Sequence, residues 1–111
     1  MARTPRQVRI LSHLVGIAMV ADLQHEGEDD EHAHRAYGVF DPGVPAIYLD
    51  KASGDERTKV TLVHEALHAM LNISKLDAVE DEEELVGRLA PVLLDFLRSN
   101  KRVVAYLQEV K

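Results

Sequence analysis

Val60-Thr61-Leu62-Val63-His64-Glu65-Ala66-Leu67-His68-Ala69-Met70-Leu71-Asn72-Ile73 is the stretch on which the reading of the whole chain turns. Nine of its fourteen residues are apolar, and neither Pro nor Gly interrupts them. The exceptions Thr61, His64, Glu65, His68 and Asn72 stand at offsets of 0, 3, 4, 7 and 11, which at helical period is one stripe. The spacing predicts a helix. A helix apolar on its other sides is expected to be buried on several of them, so the polar stripe faces either solvent or an internal site.

Upstream, Ser53-Gly54-Asp55-Glu56 fits a capping box with Ser53 at the N-cap, so this helix is expected over about 54–74. Downstream, Asp77-Ala78-Val79-Glu80 offers a second box, and a helix over about 78–98 then carries Leu85, Leu89, Val92, Leu93 and Phe96 on one face. Pro91 lies inside it and predicts a kink or a restart there. A short last helix is expected over about 101–110. The first half has a different texture. Val8-Arg9-Ile10-Leu11 reads as a strand, and Val15 to Val20 as a second strand or a short amphipathic helix. Ala36 to Phe40 and Ala46 to Leu49 flank Asp41-Pro42-Gly43-Val44-Pro45 and read as a hairpin, with Pro45 at the start of its strand. Together these make one α+β domain over 1–111, with a small antiparallel sheet of three or four strands, spread over about 8–50, packed on a helix pair.

Length and composition agree with that. A chain of 111 residues is enough for one core and too short for two. Apolar residues are 46% and charged residues 29%, ordinary for a globular domain. There is no Cys, which excludes a disulfide framework, a thiolate nucleophile and any Cys-based zinc or iron–sulfur site. Any transition metal must be held by the six His and nineteen Asp and Glu. The net charge of −6 disfavours nucleic acid as a partner, and 5% aromatics leave little for base stacking. Three Arg (Arg3, Arg6, Arg9) form a basic start, while Asp22–Glu31 and Asp77–Glu84 each hold six acids. The longest apolar run, Leu14 to Ala21, is too short to cross a bilayer. With no Cys and no leader pattern, a cytoplasmic location is expected.

His64-Glu65-Ala66-Leu67-His68 is an H-E-x-x-H motif. Residues four apart share a helix face, so both imidazoles can reach one ion, and Glu65 stands about 100° round, near a water on that ion. Two His ligands, an open position and an adjacent carboxylate base suit zinc-dependent peptide hydrolysis. A third protein ligand must be a carboxylate or one of His13, His25, His32 and His34. Asp81-Glu82-Glu83-Glu84, 13 to 16 residues after His68, opens the next helix and would face the His pair in an antiparallel arrangement. The loop containing His32 and His34 offers a second, weak set of ligand types, although a solvated loop is the simpler reading. Thr61 and Asn72 are placed either to orient ligands or for packing and helix-end roles.

The combination of His64 to His68 with Glu83-Glu84-Leu85-Val86-Gly87-Arg88-Leu89-Ala90 resembles the ImmA/IrrE-type metallopeptidases, particularly their short phage and prophage members. In that family the motif helix is followed by E-x-x-A-N-x-F-A, whose Glu is the third zinc ligand. Aligning Leu89-Ala90 with F-A puts that Glu at Glu83, with Glu84 the runner-up. Val86 and Gly87 depart from the family's Ala and Asn. The resemblance covers about residues 8 to 98. It implies a gluzincin-like zinc metallopeptidase, with His64, His68 and Glu83 as ligands and Glu65 as the catalytic base, cutting a protein or peptide substrate such as a repressor or antitoxin. Tyr48, Tyr37 and His34 are the candidates to stabilise the oxyanion. The competing reading is a zinc-containing binding module without catalysis. Oligomeric state is not legible.

Overall fold

Alternation of exposed and buried side chains in Gln7-Val8-Arg9-Ile10 turns Val8 and Ile10 inward and makes the first strand, β1 (Gln7–Ile10). The computed structural model describes residues 4–21, 23 and 37–110. Leu11 and Ser12 turn the chain, with Leu11 at φ 54°, and β2 (His13–Val20) returns antiparallel with Val8 opposite Val15. The second apolar run is therefore a strand rather than a helix. β3 (Gly38–Asp41) and β4 (Ala46–Asp50) form the expected hairpin. The Asp41 carboxylate accepts from Gly43 N at 2.9 Å within its turn, and Pro45 stands immediately before β4.

The sheet itself differs from the expectation. Its order is β1-β2-β4-β3, and β2 pairs with β4 in parallel, Ile17 opposite Ile47. The sheet is mixed, not antiparallel. β4 sits inside, flanked on both sides, and its Ala46, Ile47, Leu49 and Asp50 are all buried. With a neighbour on each edge, the backbone groups of β4 are paired on both sides. The hairpin is local and legible, but which of its strands docks on β2 is not.

α1 (Asp55–Ile73) follows β4. Its N-cap is Gly54, not Ser53, and no side chain caps it. The Ser53 hydroxyl is buried without a hydrogen-bond partner among the described residues. The helix closes with paired bonds from Lys75 N to Asn72 O (3.2 Å) and Leu76 N to Leu71 O (2.8 Å), with Lys75 at φ 62° and Leu76 buried. That is a Schellman ending. α2 (Glu82–Ser99) starts later than expected because Asp81 is its cap, accepting from Glu84 N at 2.8 Å. It runs through Pro91 without restarting. One missing N–H is a single gap in the ladder, and Leu89, Val92 and Phe96 pack the same face on the core across it. α3 (Lys101–Gln108) ends the fold.

The core lies on one face of the sheet. Val8, Ile10, Val15, Ile17, Ile47 and Leu49 meet Leu62, Ala66, Ala69 and Met70 of α1, with Phe96, Val103 and Tyr106 closing it. α1 is thereby buried on one face only. Val60, Val63 and Leu67 are exposed, against the expectation of burial on several sides. One sheet layer covers one side of a helix, and no second layer is present among the described residues. Lys59 is the unusual core residue. Its ammonium donates to the Asp55 carboxylate (2.9 Å) and the Glu109 carbonyl (2.8 Å), tying α1 to the end of α3. The hydrogen bond to Asp55 holds its pKa above the ordinary 10.5.

Asn100 joins the helices to the sheet edge. Its Oδ1 accepts from Arg9 N (2.7 Å), and its Nδ2 donates to Arg9 O (2.7 Å) and Phe96 O (2.9 Å). The side-chain amide thus copies one rung of a strand on the free edge of β1. Asn100→Ala leaves that rung unmade, and each stranded buried polar group costs about 1–3 kcal/mol. We expect a loss of about 2 kcal/mol in denaturant unfolding. A loss below about 0.5 kcal/mol, less than a typical net hydrogen bond, would show that the edge is held by packing alone.

Candidate metal and catalytic site

Four-residue spacing on α1 brings the two imidazoles of the motif side by side, as expected. His64 and His68 are both exposed, with ring centroids 4.8 Å apart and Nε2 atoms 3.2 Å apart. Two nitrogens bonded at about 2.05 Å to a tetrahedral ion stand about 3.3 Å from each other. The pair is therefore at the separation that two ligands of one zinc ion require. It is equally a hydrogen-bonded pair in which one ring donates to the other. Because the rings are exposed, no desolvation cost demands a metal partner for them.

Glu65 is positioned differently. It lies on the edge of the buried face of α1, only 8% exposed, with its Oε2 3.8 Å from His64 Nε2. The neighbour that encloses it is β3. A Cβ built on Gly38 would collide with the Thr61 methyl and would lie 3.3 Å from the Glu65 Cγ and 3.2 Å from the Tyr48 carbonyl. Gly38 is thus a point of close approach between strand and helix, directly beside the carboxylate. Thr61 serves this packing: its methyl faces Gly38, and its hydroxyl donates back to Arg57 O at 2.7 Å. Asn72 supplies a helix-end carbonyl to Lys75 N.

These residues line an open cleft of about 840 Å³ between α1 and β3. His64, Glu65, His68, Thr61 and Asn72 form its α1 wall, and Gly38, Val39 and Phe40 its β3 wall. Tyr37 and Arg57 stand at one end, the guanidinium 4.7 Å from the centre of the ring. Asp77, in the turn after α1, also lines the cleft. Sequence reading alone marks neither Arg57 nor Asp77 as a site residue. Asp77 reads there as a helix cap within an acidic cluster, and the signal for a site role lies in its position one turn past the motif helix.

Glu83 is elsewhere. It sits exposed in the first turn of α2, as does Glu84, and neither lines the cleft. Among the described residues no three His, Asp or Glu side chains converge to hold one ion, so the structure does not bring Glu83 to the His pair. α2 contacts both α1 and β1, and its first turn, which carries Glu83, does not reach the cleft. Of the oxyanion candidates, Tyr37 lines the cleft, Tyr48 does not, and His34 lies outside the described residues, as do His25 and His32. His13 is exposed at the start of β2 and does not line the cleft. No helix among the described residues is long and apolar enough to cross a membrane. Comparison with protein-family models, with curated proteins and with solved structures gave no match.

Proposed function

We propose that this chain is a zinc metallopeptidase that hydrolyses a peptide bond in a protein target. The observation that carries the reading is the His64–His68 pair, whose Nε2 atoms stand 3.2 Å apart on the open wall of a cleft that also holds the Glu65 carboxylate. Zinc held there would polarise the scissile carbonyl and acidify a water. His64 and His68 supply two neutral nitrogen ligands. Glu65 takes the proton of the attacking water and delivers it to the leaving amine. Tyr37 is the hydroxyl on the cleft wall suited to donate to the developing oxyanion. β3 is an edge strand beside the motif, so its outer edge offers backbone groups along which an extended substrate chain can lie. The resemblance to the ImmA/IrrE type adds a phage or prophage setting, a cytoplasmic location and a repressor or antitoxin as substrate.

The third ligand divides this proposal into two forms. Glu83 follows from the family alignment, whereas Asp77 is the carboxylate outside the motif that lines the cleft. Zinc titration by calorimetry separates them. We expect one ion per chain, affinity lowered at least tenfold by His64→Ala, and a loss of about tenfold or more in only one of Asp77→Asn and Glu83→Gln. A chain that binds no zinc, or binds it unchanged without His64, is not this enzyme. A zinc-saturated chain that cleaves no member of a broad peptide library would favour the binding module.

A further inference from the structure

The second large cleft lies at the opposite edge of the sheet, between β1 and the corner joining α2 to α3, with a volume of about 1130 Å³. Arg6 and Arg9 line it from the sheet side, and Arg98, Lys101 and Arg102 from the helix corner. Among the described residues no Asp or Glu lines it. In a chain with thirteen Lys and Arg, nineteen acids and a net charge of −6, five cations here with no acid from the described residues is a segregation of charge. All five are exposed, and none is in an ion pair among the described residues.

Helix stability does not account for the cluster. Arg98 suits the C-terminal end of α2, but Lys101 and Arg102 occupy the first turn of α3, where the helix dipole disfavours cations and where no acid is present. Their spacing to β1 is fixed. Asn100 is hydrogen-bonded to both backbone groups of Arg9, which holds the helix corner against the strand that carries Arg6 and Arg9. Like charges are therefore held together by the fold, and an anion relieves their repulsion. Four of the five are Arg, whose planar fork matches carboxylate and phosphate. Of the acids of α2, Glu82–Glu84 lie about 22 Å away along the helix, beyond the screening length of about 8–10 Å, while Asp95, three residues before Arg98, neither lines the cleft nor forms an ion pair with Arg98 among the described residues.

The remaining lining selects between anions. No aromatic side chain among the described residues lines it to stack a base. Leu14, directly opposite Arg9 in the β1–β2 ladder and 51% exposed, gives the cleft an apolar element beside its cations, together with Pro5. A phosphate backbone has no use for that element, whereas a peptide with an apolar side chain among its acids does. We infer that this cleft docks an acidic segment of a partner protein, with Arg6, Arg9, Arg98, Lys101 and Arg102 pairing its carboxylates and Leu14 seating an apolar side chain. The inference does not rest on the metallopeptidase reading, and it is tested by binding alone.

The probe is a fluorescein-labelled twelve-residue peptide of aspartate, glutamate and leucine, followed by polarisation against the full chain. Binding is expected at low salt and to weaken as salt rises. Arg98→Glu with Arg102→Glu is expected to weaken it at least tenfold, and Arg6→Glu with Lys101→Glu to do the same should the first pair fail to fold. Leu14→Ser is expected to weaken the leucine-containing peptide about threefold to tenfold and to leave an all-glutamate peptide unchanged. The proposal is overturned if the peptide does not bind, if charge reversal leaves its affinity unchanged, or if a sixteen-base-pair DNA duplex binds as tightly as the peptide. Equal loss of both peptides on Leu14→Ser removes the apolar contact and with it the choice of a protein partner.

Discussion

Glu65→Gln is expected to keep the fold and the metal while lowering peptide cleavage by about 10²–10⁴-fold, the range general acid–base groups contribute. The substitution is nearly isosteric, which matters because Glu65 is 8% exposed and pressed between α1 and β3, with Gly38 against its stem. A larger change would confuse lost chemistry with lost packing. The amide cannot take a proton from water, but it leaves His64 and His68 with their nitrogens 3.2 Å apart. Zinc stoichiometry and melting temperature are therefore the controls, and both should match the parent. A Glu65→Gln chain that cleaves as fast as the parent would remove Glu65 from the mechanism. A chain that loses zinc as well would make its carboxylate a ligand instead of a base.

Gly38→Ala is expected to destabilise the chain by about 2–3 kcal/mol, the upper part of the range for overpacking. The added carbon meets the Thr61 methyl at a distance no native contact shows, with the Tyr48 carbonyl and the Glu65 stem also within 3.4 Å. Thr61 cannot swing aside freely, because its hydroxyl is bonded to Arg57 O and the residue is buried. The strand must move instead. For a chain of this size the loss corresponds to a fall of roughly 10 °C in melting temperature. Thr61→Ser deletes the colliding methyl and keeps the hydroxyl, so the double variant should recover most of the loss, a coupling visible in a double-mutant cycle. A Gly38→Ala chain that melts like the parent, or one that Thr61→Ser does not rescue, would mean that the contact between β3 and α1 is looser than described. Cleavage should fall with stability here, since the strand that moves is the wall opposite the His pair.

The two variants probe different things at one place. Glu65→Gln asks what the carboxylate does, and Gly38→Ala asks what holds it. That Gly38 matters was not legible in the sequence. It stands in Ala36-Tyr37-Gly38-Val39-Phe40 as one more small residue in a strand, and its close approach to a helix 23 to 27 positions later exists only once β3 lies across α1.

The motif, by contrast, is a local object. His64, Glu65 and His68 fall where they do because 3.6 residues make a turn, so the side-by-side imidazoles follow from helix formation alone. The presence of all three helices and the hairpin of β3 and β4 were likewise written in spacing and turn residues. The helix starts shift by a few residues because caps compete: Asp81 displaces Asp77, and Gly54 displaces Ser53. What tertiary structure alone decided was everything that depends on which elements lie side by side. Parallel pairing of β2 with β4 is one case, because strand order is set by how the whole hairpin docks and no turn residue encodes it. Another is the position of Glu83, which the family pattern brings to the His pair and which does not line the cleft that holds the pair. A third is the cluster of Arg6 and Arg9 with Arg98, Lys101 and Arg102, about ninety residues apart in the chain and brought to one cleft by the amide of Asn100. Spacing along a helix fixes angles within it, whereas the meeting of distant side chains depends on where each element's apolar face finds cover.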